Sequence, residues 1–86
     1  MNLGANMRLC EAIRLRMINL IKSKNISVNK ICDKSFMTTS TLSSYLNSKD
    51  VFCSTRTLGK FCQGIGITIK EFFNDPLFDN IEEETV

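Results

Sequence analysis

The sequence predicts an all-α domain. Apolar residues recur at three- and four-residue steps in successive short segments. A residue type that caps helices stands at the boundary of nearly every segment. Turn formers are scarce, with four Gly and one Pro, which disfavours turn-rich all-β architectures. The 86 residues, 43% of them hydrophobic, suffice for one core in one domain and are too apolar for a disordered chain.

The first element is predicted from about Met7 to Ser23. Cys10, Ile13, Met17, Leu20 and Ile21 form its apolar face, while Arg14, Arg16, Asn19 and Lys22 occupy the others. Lys22 and Lys24 suit the negative helix end, and Asn25 suits a left-handed C-cap. Ser27 can cap a second helix, Val28 to about Ser35, with Ile31 and Cys32 inward. Three residues later Thr38 or Thr39 can cap a third, which runs to about Asn47 with Leu42, Tyr45 and Leu46 on one face. Its Ser and Thr residues are poor helix formers and propensity alone reads a loop; the apolar periodicity decides for a helix.

Residues 48–54 read as a loop. Ser54 or Thr55 can cap a fourth helix to about Gly64, with Leu58, Phe61, Cys62 and Ile65 in the core and Gly64 and Gly66 bracketing its end. Thr68 and Glu71 have capping-box spacing for a short fifth helix, Ile69 to Asn74, ahead of Pro76. Ile67, Ile69, Phe72 and Phe73 are expected to supply its apolar contacts. Glu82 to Glu84 are expected to fray. No repeat, low-complexity run or long linker is visible, and five short helices around one core account for the chain.

The net charge of +2 conceals an asymmetry. Residues 1–60 hold ten basic and three acidic side chains, a net of +7, and residues 61–86 hold one and six, a net of −5. A basic body with an acidic tail fits a polyanion-binding surface beside a segment that stays off it. A solvated surface with a solubilising tail has the same arithmetic. The cysteines at 10, 32, 53 and 62 lack metal-ligand spacing and there is no histidine, so neither a structural metal nor a cofactor is expected. No secretory signal and no run of membrane-spanning length is visible, which predicts a cytoplasmic protein with reduced thiols and no membrane partner. Nothing pairs a nucleophile with a base, so no enzyme is expected.

Two short helices joined by a tight turn, the second rich in small polar residues, form a DNA-reading unit. The stretch SVNKICDKSFMTTSTLSSYLNSK, residues 27–49, with STRTLGKFCQGIGITIKEFF, residues 54–73, resembles the lambda repressor/Cro-type helix-turn-helix family over roughly residues 9–73. Ile31, Cys32, Met37, Leu42 and Tyr45 fill the family's packing positions. Three departures stand out. Val28 replaces a glutamine that touches phosphate in many relatives. Ile21 and Leu46 together replace a buried ion pair, an exchange that leaves no unpaired charge. Phe36 replaces the turn glycine. A left-handed Phe there would be strained by roughly 1–2 kcal/mol, so a slightly rearranged turn with a partly buried ring is expected.

The resemblance implies a compact five-helix lambda-repressor-like DNA-binding domain over residues 9–73, with 28–47 as the recognition unit. Residues 1–8 would be a flexible start and 74–86 an acidic tail for docking or dimerisation. Thr39, Ser40, Thr41, Ser44 and Asn47 would face bases, and Lys30, Lys34, Thr38, Ser43, Lys49 and Arg56 phosphates. Phe73, Leu77, Phe78 and Ile81 are candidates for dimer or partner contacts. The implied function is sequence-specific transcriptional regulation, as a repressor, by a homodimer on double-stranded DNA. The alternatives are the antitoxin of a toxin–antitoxin pair and a protein-interaction module that has lost DNA binding, with a protein partner on the acidic C-terminal region.

Overall fold

A computed structural model describes residues 8–47 and 54–81. Among these are five α-helices: α1 (Leu9–Lys24), α2 (Val28–Ser35), α3 (Thr39–Asn47), α4 (Thr55–Ile65) and α5 (Ile69–Phe73). A 3-10 turn, Pro76–Phe78, follows, and no sheet occurs among the described residues. The expectations for the flexible start, for the loop over 48–53, for Lys49 and for the acidic run from Glu82 lie outside the described residues.

One joint recurs three times. α1, α2 and α4 each end in a left-handed residue, Asn25, Phe36 and Gly66. Each is followed by an apolar residue whose backbone N–H donates back into the helix just finished. Ile26 donates to Ile21, Met37 to Cys32 and Ile67 to Cys62, at 3.3, 3.3 and 3.0 Å. The third residue is the N-cap of the next helix. Ser27, Thr38 and Thr68 accept the N–H three residues on, from Lys30, Thr41 and Glu71. Each joint thus satisfies part of the carbonyls orphaned by one helix and one amide orphaned by the next.

The apolar residue of each joint and the fifth residue after it enter the same core: Ile26 with Ile31, Met37 with Leu42, Ile67 with Phe72. This is the spacing of a hydrophobic staple. It also corrects one expectation. Ile69 is the first residue of α5, not the fifth after the joint, and it is 45% exposed rather than packed.

The largest correction concerns Phe36. The turn is not rearranged: Phe36 has φ 59° and ψ 36°, and its ring is 86% exposed rather than partly buried. Met37 must turn inward to staple α3, and its neighbour cannot follow it. Smaller differences lie at helix ends: Arg8 is extended, so α1 begins at Leu9, α4 reaches Ile65, and α5 stops at Phe73. Of the two candidate caps of α4, Ser54 takes the role.

The core is built from Ile13, Met17 and Leu20 of α1, Ile31 and Cys32 of α2, Leu42 of α3, and Leu58, Phe61, Cys62 and Ile65 of α4, closed by Phe72. Phe72 meets Phe61 edge-on, with centroids 6.1 Å apart. α2 rests chiefly on α4. Gly64 allows that approach: a β-carbon there would lie 2.7 Å from the Ile31 carbonyl oxygen. Beside it the buried Ser35 hydroxyl donates to the same carbonyl at 2.7 Å.

Two arginines assigned to the outer faces of α1 are half-buried instead and join distant parts of the chain. Arg16 Nε donates to the Phe72 carbonyl at 2.7 Å and Nη2 to that of Glu71 at 2.9 Å, while Nη1 pairs with the Asp75 carboxylate at 3.1 Å. These carbonyls belong to the last turn of α5, so α1 caps α5 across the fold. Arg14 Nη1 donates to the Leu46 carbonyl at 3.1 Å, which does the same for the end of α3.

Candidate nucleic-acid interface

The stapling of Met37 and Leu42 sets the roll of α3. With Leu42 buried and Leu46 packed on the core, a 3.6-residue period turns Ser40, Ser44 and Asn47 outward, and all three are exposed. Thr39 and Thr41 are exposed as well, whereas Ser43 on the flank and Tyr45 are half-buried. α3 has no acidic residue in its first turn. Every side chain assigned to bases therefore stands on the solvent side of one helix.

Those hydroxyls are tied to one another. Thr38 caps α3 by accepting the Thr41 N–H at 3.2 Å, and its hydroxyl also donates to Thr41 Oγ1 at 2.8 Å and lies 3.3 Å from Ser40 Oγ. Ser44 Oγ donates to the Ser40 carbonyl at 3.0 Å. These bonds show how a helix so rich in Ser and Thr is held, because side chains that compete for backbone groups satisfy that competition within the helix. Thr38 and Ser44 spend their protons within the helix, whereas Thr41 accepts and keeps its own O–H to donate, so the face can both accept and donate hydrogen bonds.

Lys30 and Lys34 lie one turn apart on α2 and are exposed. Arg56 is exposed in the first turn of α4. The structure therefore links Thr38, Ser40, Thr41 and Ser44 into one cluster and sets Lys30 and Lys34 on the preceding helix, while Arg56 belongs to a separate element. Val28, at the glutamine position, packs partly against the core. Ile21 and Leu46 do likewise, and the Arg14 bond to the Leu46 carbonyl now joins α1 to the end of α3.

The four residues considered for dimer contacts are all half-buried. Phe73 and Phe78 meet edge-to-face with centroids 4.8 Å apart, and both meet Phe72, at 5.1 and 6.0 Å. Part of each ring closes the core of its own chain, and the remainder is accessible beside Leu77 and Ile81.

Cys32 and Cys62 are buried free thiols. Burial pushes the Cys62 thiol up to about 11, with Arg16 acting weakly in the opposite sense. Burial also raises Cys32, aided by Asp33. No cluster of three or more potential metal ligands occurs among the described residues, and none of their helices is long and apolar enough to cross a membrane.

Two features of this face had no local signal in the sequence. Phe36 stands fully outward at its edge, and Arg14 steadies the end of α3 from 32 residues away. No protein-family model, curated protein or solved structure matches this chain.

Proposed function

We propose that the chain is a sequence-specific DNA-binding regulator of transcription, acting as a repressor without catalytic activity and as a homodimer on double-stranded DNA. The observation that carries this reading is the α2–α3 pair: two short helices joined by three residues, the second exposing Thr39, Ser40, Thr41, Ser44 and Asn47. A nine-residue helix of this kind fits the major groove, and its small side chains let the backbone approach base edges. The first-turn amides of α3, with Lys30 and Lys34, supply the phosphate-facing groups. The resemblance to lambda repressor/Cro-type regulators supports the same reading, and the accessible parts of Phe73, Leu77, Phe78 and Ile81 supply the dimer contact. Such a chain can serve as a free-standing repressor or as an antitoxin; a toxin gene beside its own separates the two.

A protein-interaction module is the second reading, favoured by two observations. The hydroxyls of α3 are bonded among themselves, and Val28 offers no phosphate contact. A chemical-shift titration of the labelled protein distinguishes the two, with its own upstream promoter DNA set against scrambled duplex at two salt concentrations. DNA reading predicts shifts centred on residues 38–47 that favour the promoter. Lys34→Gln should then reduce the slope of log K against log salt by about 1. The absence of shifts at low salt would refute DNA binding and direct the search to a protein partner.

A further inference from the structure

Phe36 departs from a pattern that this chain otherwise keeps. Of the three left-handed helix ends, two carry Asn25 and Gly66, residue types that adopt that backbone at little cost. The third carries a bulky aromatic. Its side chain gains little in return, being 86% exposed, whereas Leu9 and Ile69, the other exposed large apolar residues among those described, stand at 44% and 45%. Substitution by Asn would remove both the steric cost and the exposed ring.

The surroundings define what could cover that ring. Lys34 lies two residues before it, Asp33 three and Lys30 one turn further back, all exposed, so two cations and one carboxylate flank the ring on this side. Thr38 and Thr39, at the start of α3, lie just after it and are exposed. The cations outnumber the carboxylate, so an anionic cover with flat or methyl-bearing apolar surface suits this patch. The DNA major groove does both, because thymine presents its C5-methyl group between rows of phosphates and a Phe ring is a known partner for it. The hydroxyls of α3 have no bidentate geometry of their own, so an apolar reader beside them adds discrimination that they lack.

We infer that Phe36 is a base-reading residue that packs on a thymine methyl at the edge of the α3 footprint. The inference rests on the DNA-binding reading above and goes further by naming the residue that sets preference for a base. The test is selection of sites from a random duplex library by the full-length protein, followed by affinity measurements on the best site. That site is also made with deoxyuridine in place of each thymine in turn. Phe36→Asn keeps the left-handed turn and removes the ring, and Phe36→Leu keeps an apolar side chain.

At one position, loss of the methyl should weaken the unaltered protein about tenfold. Phe36→Asn should bind the thymine site about tenfold more weakly and be indifferent to that methyl, with Phe36→Leu between the two. If the protein selects a site but Phe36→Asn retains both its affinity and its thymine preference, the inference is overturned and the DNA reading stands. If the protein selects no site at all, both fall, and Phe36 belongs to a protein contact.

Discussion

Replacing Arg16 with methionine keeps most of the buried hydrocarbon stem and deletes the guanidinium. Three bonds go with it: to the Phe72 carbonyl at 2.7 Å, to the Glu71 carbonyl at 2.9 Å and to Asp75 at 3.1 Å. A hydrogen bond to a charged donor contributes about 1.5–3 kcal/mol net, but these three share one side chain and do not add in full. The Asp75 component is a single contact at 3.1 Å between half-buried side chains, and the cost of desolvating both charges offsets most of it, leaving about 1 kcal/mol or less. The carbonyls account for most of the rest, giving a loss of about 2–4 kcal/mol. A chain of this size has about 4–13 kcal/mol in total, so the loss is a large fraction of it. The melting temperature should fall by roughly 10–25 °C. Asp75→Asn is the control: it removes the charge yet keeps an oxygen for the Leu77 N–H, and should cost about 1 kcal/mol or less. Urea titrations followed by circular dichroism give both values. Equal losses for the two variants would refute the reading that Arg16 acts by capping α5.

Gly64→Ala gains about 1 kcal/mol in helix propensity but places a carbon 2.7 Å from the Ile31 carbonyl oxygen. Overpacking against backbone should prevail by about 1–2 kcal/mol, and a higher melting temperature than the parent's would disprove the close approach of α2 to α4. The hydrogen bonds from the Thr68 backbone and side chain hold the Glu71 carboxyl below its ordinary range. A depressed folded-state pKa stabilises above the unfolded value and ceases to as pH falls through the folded one. The stability advantage over Glu71→Gln should therefore be full at pH 7, begin to decline near the unfolded value of about 4.3 and be lost as pH falls through the lower folded one, and thermal melts at pH 7, 5 and 3 would expose a pH-independent difference. With its thiol near 11, Cys62 should be alkylated at pH 8 at least a hundredfold more slowly in the folded chain than in urea. Peptide mass spectrometry after iodoacetamide treatment measures this, and equal rates would mean that the site is open.

Most of the helices were legible because their signals are local. Ser27, Thr68 and Glu71 are caps that can be recognised from two or three residues on either side, and they act as caps in the structure. Leu42 and Leu46 likewise predict which face of α3 is exposed, so the outward hydroxyls were readable from spacing alone. Other features depend on residues far along the chain. Nothing near Arg16 indicates that its partners lie 55 to 59 residues away. Phe36 was misread for a different reason. Its β-carbon argues against a left-handed turn, and the need to staple Met37 into the core outweighs that local preference. Ile69 was misplaced because the inward side of this five-residue helix is taken by Phe72 and, in part, by Phe73.

The repeated joint also has a consequence for how the chain reaches its fold. Three-residue connections close short loops, which costs little entropy, so α1–α2–α3 and α4–α5 can each organise from contacts that are near in sequence. The contacts between these two groups, α2 against α4 at Gly64 and Arg16 against the end of α5, span long stretches and form when the two halves meet. The molecule is in this sense two pieces that share one seam. Cut between residues 47 and 54, each fragment would keep the local signals of its joints but lose the seam that buries its apolar faces, so its helices would order only on recombination.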